Sequence, residues 1–398
     1  MRFLHTADWH VGKPLRGRSR QDEFAAALDE VHRIAVDARV DAVLVGGDVF
    51  DSPMPPPEAE KLVYDFLARL IPEGIACVVI AGNHDHPKKL GALARLLEGL
   101  RIHLRTEVRP PSQGGVVALP SRDGREEARI AVLPFVPERK VVDACQVMSP
   151  EHEWYEEYAR RIEELLHFLT KDLTPDTVNL VLAHVMVHKG LVGTGERALH
   201  LGQVYALNPQ QLPGNVQYVG LGHLHRPQEV LAPSKTRFAG SLLELDFGER
   251  EQDKSVVVVD AKPGGAAGIE VVPVTAGRRL KDVEGTLPDI LARKDELGDA
   301  YLRVRVKVDG PVPGIAEQVK ELLPNALDVS LAYEAAAGAG EGEERPSRGS
   351  LRPNELFADF FRRKNQADPP PEMLRLFDEV WEEVHAPEAE PAKRLVHS

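Results

Sequence analysis

His5-Thr-Ala-Asp-Trp-His-Val-Gly12 begins inside a short β-like run, Arg2–Thr6, and carries Asp8 and His10 just past its end. The same arrangement recurs along the chain. Ala42–Val45 leads to Asp48, Ile75–Ala81 to Asn83 and His84, Val178–Ala183 to His184, and Val216–Leu221 to His223 and His225. Open α/β sheets gather ligands at the carboxyl ends of their strands, so these side chains are expected to converge. From residue 1 to about 275, β-like runs alternate with helical patterns, which reads as an α/β layered fold.

Four fragments carry the chemistry: Asp8-Trp-His10, Gly46-Gly-Asp48-Val-Phe-Asp51, Gly82-Asn-His-Asp85 and Gly222-His-Leu-His225. Each alone is a weak signal; together, each behind a strand, they point to a metal centre. Two cations about 3.5–4 Å apart clamp a phosphate when one carboxylate spans both and the other ligands mix oxygen and imidazole. Asp48 is the natural bridge. A donor set without thiolate suits Mn²⁺, Fe²⁺ or similar ions better than structural zinc. Gly46, Gly47, Gly82 and Gly222 are expected to let the backbone turn sharply at the strand ends. His84 adjoins a ligand and can exchange a proton near neutral pH. Asp85 is expected to orient a metal-bound group. His188 and His200 are nearby rivals to His184.

Composition sets the frame. A chain of 398 residues, 43% hydrophobic and 28% charged, exceeds one core and is expected to form a catalytic domain with smaller attachments. Its start has no apolar leader and no later run reaches spanning length, which predicts a cytoplasmic protein with no membrane segment. Cys77 and Cys145 suggest neither a disulfide nor a zinc site. The net charge of -13 argues, taken alone, against nucleic acid. Lys13, Arg16, Arg18 and Arg20 run together without an acid, and read either as a basic rim near the site or as a solvated loop. No Gly-x-x-x-x-Gly-Lys-Ser/Thr loop occurs, so any ATP dependence must come from another subunit.

Helical patterns are expected at about 57–71 and 88–99, the latter with Leu90, Leu93, Leu96, Leu97 and Leu100 packing on the sheet. A charged helix from about Pro150 to Lys171 reads as a surface insertion. The domain expectations are 1–278 for the catalytic domain and 279–334 for a small β-α-β capping unit, with strands at 301–308 and 327–333. Residues 335–350 form a flexible linker, 351–386 a helix pair, and 387–398 a tail. In the helix pair, Leu356, Phe357, Phe360 and Phe361 make one apolar face and Met373, Phe377, Val380, Trp381 and Val384 another. Two helices so short need a host surface.

The motifs resemble those of the calcineurin-like metallophosphoesterases, and within them the bacterial SbcD nuclease-subunit family. Asp41-Ala-Val-Leu-Val-Gly-Gly-Asp-Val-Phe-Asp51 and Gly240-Ser-Leu-Leu-Glu-Leu-Asp-Phe-Gly248 narrow the resemblance beyond the metal ligands. It implies a β-sandwich flanked by helices, with a capping domain and a C-terminal helix pair. It implies that Asp8, His10, Asp48 and His225 hold one metal and Asp48, Asn83, His184 and His223 the other, both Mn²⁺ or another divalent cation. His84 would give a proton to the departing oxygen. The implied activity is 3′–5′ exonuclease on duplex DNA and endonuclease on single strands and hairpins, in processing double-strand breaks. The implied partners are DNA, a second copy docked through helices near 57–71 and 88–99, and an SbcC-type ABC ATPase with a coiled coil. The helix pair then reads as the docking element for that ATPase. A general metallophosphoesterase acting on a phosphoprotein or cyclic nucleotide, and a non-catalytic scaffold of the same fold, are the alternatives. The scaffold would be free to lose ligands, and none is missing.

Overall fold

Strands such as Ala42-Val-Leu-Val45 are apolar at every position, so both faces of their sheet must be covered. That requirement sets the layers. The computed structural model describes residues 1–137, 151–188, 206–308 and 312–333, with 354, 356–358, 361, 369–371 and 373–378 beyond them. Met1–Glu334 form one compact unit and Ala335–Ser398 a second.

In the first unit, one six-stranded sheet holds β1 (Arg2–Thr6), β2 (Ala42–Val45), β3 (Ala76–Ile80), β4 (Ile102–Arg105), β11 (Ser255–Asp260) and β12 (Gly268–Pro273), in the order β12-β11-β1-β2-β3-β4. The second holds β5 (Val116–Pro120), β6 (Glu127–Leu133), β7 (Val178–His184), β8 (Tyr218–Gly222), β9 (Gln228–Val230) and β10 (Lys235–Phe238), in the order β5-β6-β7-β8-β10-β9. Phe3, Leu44, Val78 and Ile80 from the first meet Ile130, Leu180, Leu182 and Tyr218 from the second in the central core. Each such side chain contributes about 1.5–3 kcal/mol on burial.

Helices close the outer faces. α1 (Gln21–Asp37) and α2 (Pro57–Leu70) lay Phe24, Leu28, Val31, Val63, Phe66 and Leu70 over the first sheet. α3 (Pro87–Leu90), a 3₁₀ turn at Gly91–Leu93 and α4 (Ala94–Glu98) replace the single helix expected over 88–99. Gly91 passes so close to Thr106 that a Cβ there would stand 2.8 Å from its Oγ1, and the leucines divide: Leu90 is buried while Leu96 and Leu100 are exposed. α5 (Glu151–Thr170) is no surface insertion, because Tyr158, Ile162, Leu166 and Leu169 cover the outer face of the second sheet beside Ala131, Val181 and Val219. Among its described side chains, the charged Glu157, Arg160 and Glu164 pair with one another on the opposite side of the helical period.

The capping region is larger than a β-α-β unit. β13 (Leu280–Gly285), β14 (Tyr301–Val308) and β15 (Ala326–Tyr333) form a parallel sheet of their own. α6 (Leu287–Ala292) and α7 (Lys294–Leu297) connect the first two, and α8 (Ile315–Leu322) lies between the last two in the chain. Leu280 and Val283 are the only buried residues of β13, too few for an apolar run to show in the sequence. Phe247, Leu15, Leu280 and Tyr301 make a small core between this sheet and the rest of the unit.

In the second unit, Phe357 stacks on Phe377 with ring centroids 4.5 Å apart, while Leu356, Met373 and Leu376 are exposed. The linker expected at 335–350 and the side chains of Phe360, Val380, Trp381 and Val384 lie outside the described residues, as do Cys145 and His200.

Candidate metal centre

Beyond β1 and β2 the two chain segments stay paired after the strands end. Asp8 N–H donates to the Gly47 carbonyl (3.0 Å), His10 N–H to that of Asp48 (3.0 Å), and Val11 N–H to that of Val49 (3.0 Å). Trp9, fully buried, donates from Nε1 to Thr6 Oγ1 (2.8 Å) and packs edge-on against Phe66 of α2. This anchor turns the residues on either side of it inward. Asp8, His10 and Asp48 all adopt left-handed backbone, with φ of 50°, 48° and 49°. Such conformations cost on the order of 1–3 kcal/mol each and persist where the surroundings impose them.

The glycines act differently from the expectation. Only Gly47 has a positive φ, 93°. Gly82 and Gly222 are there because nothing larger fits: a Cβ on Gly82 would stand 2.1 Å from Asp48 Oδ1, and one on Gly222 2.0 Å from the Gly46 carbonyl oxygen, while one on Gly46 would crowd Ala7 at 3.1 Å. Close approach of backbones, more than sharp turning, packs these loops together.

All the residues singled out in the four fragments meet here, together with His184. His184 Nδ1–H donates to the Gly46 carbonyl (2.7 Å), which turns Nε2 towards Asn83 Oδ1 at 2.9 Å. His223 presents Nδ1 to the same Asn83 oxygen at 2.9 Å and to His184 Nε2 at 3.3 Å. Asp48 Oδ2 lies 3.6 Å from His184 Nε2 and 3.5 Å from His10 Nε2, while Oδ1 accepts the His84 N–H (2.8 Å). Asp8 accepts the His223 N–H through both oxygens. The rings of His10 and His225 stand 4.8 Å apart between centroids. His188 is exposed.

The donor chemistry fits divalent cations. His184 Nε2, His223 Nδ1 and Asn83 Oδ1 bring lone pairs to one point, and His10 Nε2 is buried without a hydrogen-bond partner. Two groups of converging ligand atoms, Asp8–Asp48–His184 and His10–Asp48–His84, share Asp48. Burial lowers the His10 pKa to about 4 despite the pull of Asp51 and Asp48. Burial, helped by neighbouring His184, lowers His223 to about 3, and burial likewise lowers His184. These three imidazoles are therefore neutral, the form that ligates. Burial works to raise Asp48, but His184, His10 and His84 together hold it down to about 2.

The supporting residues are less legible in the sequence. Asp85 touches no imidazole; its carboxylate accepts from Gly82 N–H (2.9 Å), Phe50 N–H (3.0 Å) and Val49 N–H (3.2 Å), tying the loop after β3 to the loop after β2. Asp51 meets two of the imidazoles: its side chain lies 3.4 Å from His10 Nδ1, and its carbonyl accepts His84 Nδ1–H (2.8 Å). Glu249, fully buried, accepts His225 Nδ1–H at 2.7 Å and pairs with Lys254 at 2.8 Å. Burial works to raise its carboxyl, but Lys254 and His225 outweigh that and hold it far below the usual range. Glu249 lies one residue beyond the Gly240–Gly248 stretch, whose distinctive sequence was the available signal. Phe135 stacks nearly parallel to His223 and edge-on to His184.

The basic run after His10 is an exposed loop over residues 16–19, and its cations are paired rather than free. Lys13 pairs with Asp51 (2.8 Å), Arg16 with Asp328 (3.5 Å) and the buried Arg20 with Glu23 (2.8 Å). Arg18 lies over the Tyr301 ring, 5.3 Å from its centroid. No helix among the described residues is long and apolar enough to cross a membrane.

Residues 1–227 match the calcineurin-like phosphoesterase family, and residues 277–365 match a family described as the type 5 capsule protein repressor C-terminal domain. The SbcD subunit of the SbcCD nuclease of Bacillus subtilis (strain 168) is 32% identical over 98% of this chain and 100% of its own. The SbcD subunit from Rhodobacter capsulatus is 32% identical over 83% of this chain and 86% of its own. Its namesake in Escherichia coli (strain K12) is 28% identical over 90% and 92%. The chain belongs to the calcineurin-like phosphoesterases and, within them, to the SbcD family of nuclease subunits.

Proposed function

We propose that this chain is the DNA-cleaving subunit of an SbcCD-type complex, hydrolysing phosphodiesters with two Mn²⁺ per chain. The observation that carries the two-metal reading is Asp48, whose carboxylate stands between His10 Nε2 and His184 Nε2 at 3.5 and 3.6 Å and belongs to both groups of converging ligand atoms. Asp8, His10, Asp48 and His225 would hold one cation, and Asp48, Asn83, His184 and His223 the other. Bound there, the cations would polarise the phosphate and activate a water.

The chain's own residues do the rest. The paired backbone beyond β1 and β2 and its left-handed turns hold the ligand atoms in place before substrate arrives. His84, fixed through Nδ1–H to the Asp51 carbonyl at 2.8 Å, keeps Nε2 as the nitrogen from which a proton can pass to the departing oxygen. The exposed Leu96 and Leu100 support a homodimer through the α3–α4 region. The apolar face of α2 already covers the first sheet, so α2 would contribute only its outer side. We assign 1–278 to cleavage, 279–334 to capping, and the helix pair at 351–386 to docking the coiled-coil ATPase SbcC. Exposed Leu356, Met373 and Leu376 support that docking role.

The test is cleavage of end-labelled blunt duplex and hairpin DNA with Mn²⁺ or Mg²⁺, with and without the ATPase. Metal-dependent cutting of DNA is the expected result. Hydrolysis of a small aryl phosphodiester with DNA left intact would instead favour a general phosphodiesterase. Truncation after Ala335 should keep metal-dependent cutting of single strands and lose co-elution with the ATPase; continued co-elution would move docking elsewhere.

A further inference from the structure

Three of the four imidazoles assigned to the cations have a ring nitrogen that faces away from the centre and meets an oxygen, but the oxygens differ in kind. For His184 it is the backbone carbonyl of Gly46, and for His10 the partly exposed Asp51 carboxylate at 3.4 Å. For His225 it is Glu249, a carboxylate with no exposure at all, at 2.7 Å. A lone buried carboxylate beside a histidine is costly unless its charge is matched.

Lys254 matches it. Lys254 Nζ donates to Glu249 Oε2 (2.8 Å), Ser241 Oγ (2.8 Å), Gln252 Oε1 (3.1 Å) and the carbonyl of His225 itself (3.0 Å). Glu249 Oε2 also accepts Leu245 N–H at 3.1 Å. The ammonium thus ties together the backbone and the ring partner of one metal-ligand residue. Phe247, on the same 3₁₀ turn as Glu249, is held in the small core with Leu15, Leu280 and Tyr301, so the turn cannot drift outward.

We propose that Glu249 is a positioning residue of the metal centre. Accepting the proton of His225 Nδ1, it fixes the tautomer in which Nε2 carries the lone pair towards a cation, and it makes that nitrogen a better donor. Lys254 keeps Glu249 ionised and in place. The consequence is asymmetric: the cation held by His225 depends on a buried ion pair, whereas the one held by His184 depends on a backbone carbonyl. The inference rests on the two-metal reading above, and its test separates the two.

Metal-free full-length protein is titrated with Mn²⁺ by calorimetry and by electron paramagnetic resonance, with no DNA present. The wild type should take up two ions and show the spectrum of a coupled pair; failure to do so would overturn the two-metal reading and leave Glu249 without a site to position. In Glu249→Gln the first ion should bind as in the wild type and the second about ten- to hundredfold more weakly, with the coupled spectrum replaced by that of isolated ions at stoichiometric metal. Glu249→Gln/Lys254→Met removes both buried charges while keeping volume and an acceptor, so it provides a folded variant if the single one unfolds. It should show the same selective loss. Two ions bound with wild-type affinities in a folded variant would overturn the proposal, as would equal weakening of both, the mark of a general structural role.

Discussion

The loops beyond β1, β2, β3, β7 and β8 and the sheet β13-β14-β15 are built on opposite terms. In the loops, non-glycine residues sit at positive φ, backbones touch so closely that a single Cβ would collide, and charged or polar groups are buried. In the third sheet the strands run parallel with one register shift, between Leu302 and Arg303; Leu302, Val304 and Val306 point into a small apolar core, and Arg303–Asp282 and Lys307–Glu284 pair on the opposite face. The first region holds conformations that the chain alone disfavours, and the two packed sheets beneath impose them. The second, apart from that one shift, follows local preference. Substitutions in the loops should therefore change chemistry with little effect on the fold, and those in the third sheet the reverse.

The largest contrast is expected from Asp48→Asn. An amide of the same shape can still accept the His84 N–H through its carbonyl oxygen, so far-ultraviolet circular dichroism should stay native. It cannot bridge two cations with a shared negative charge. Bound metal should fall below two per chain and cleavage to background; elemental analysis still finding two metals would remove the bridging role. His84→Ala comes next, with both metals retained, DNA still bound and turnover about a hundredfold slower, the scale of a lost general acid. Near-normal turnover at saturating Mn²⁺ would place the proton donor elsewhere.

How much of the molecule is legible in its sequence divides along the same line. The loop residues are legible because chemistry restricts their types: Asp, Asn and His behind strands have few alternative explanations once they recur in order. The strand limits at β1 and β2 follow from their compact apolar runs. β13 is not legible, since Leu280 and Val283 alone carry its buried face, nor is the burial of α5, whose charged residues dominate its composition. The roles of Glu249 and Asp51 stay hidden because a buried carboxylate is spelled with the same letter as an exposed one. The break at Gly91 depends on Thr106, a neighbour in space only.

Beneath the loops, His5 offers a pH test of the first region. It is fully buried, with Nδ1 2.9 Å from the Tyr218 hydroxyl, and burial, aided by the charge of Arg237, lowers its pKa to about 3. In the unfolded chain a histidine takes up its proton below about 6.5. The unfolded state therefore binds the extra proton, and this contribution to stability is complete above that pH and is lost as pH falls towards 3. By pH 5 the loss is about 2 kcal/mol. Urea unfolding of metal-free protein at pH 7.5 and 5 should show the difference between the two pH values shrinking by about that amount in His5→Gln. His10 and His223 titrate in both proteins, so the comparison isolates His5; an unchanged difference would mean that His5 is not held neutral.

The smallest effect is expected in the third sheet, at Tyr301. Its ring is surrounded by the guanidinium groups of Arg18, Arg20 and Arg278 at 5.3, 5.7 and 5.2 Å, and its hydroxyl donates to Glu23 Oε1 at 2.9 Å. Tyr301→Phe keeps the ring and the cation–π contacts and removes only the hydroxyl. Glu23 would still accept from Arg20 and from Arg278 N–H, so no buried acceptor is orphaned. A hydrogen bond lost on these terms costs about 1 kcal/mol, which in a unit of this size lowers the melting temperature by only a few degrees. Metal stoichiometry and turnover should be those of the wild type, because nothing in the substitution reaches His225 or His10. A drop in Mn²⁺ affinity in this variant would break the contrast between the two regions. It would mean that the third sheet holds the metal loops in shape through Leu15 and Phe247, and that its packing is part of the site.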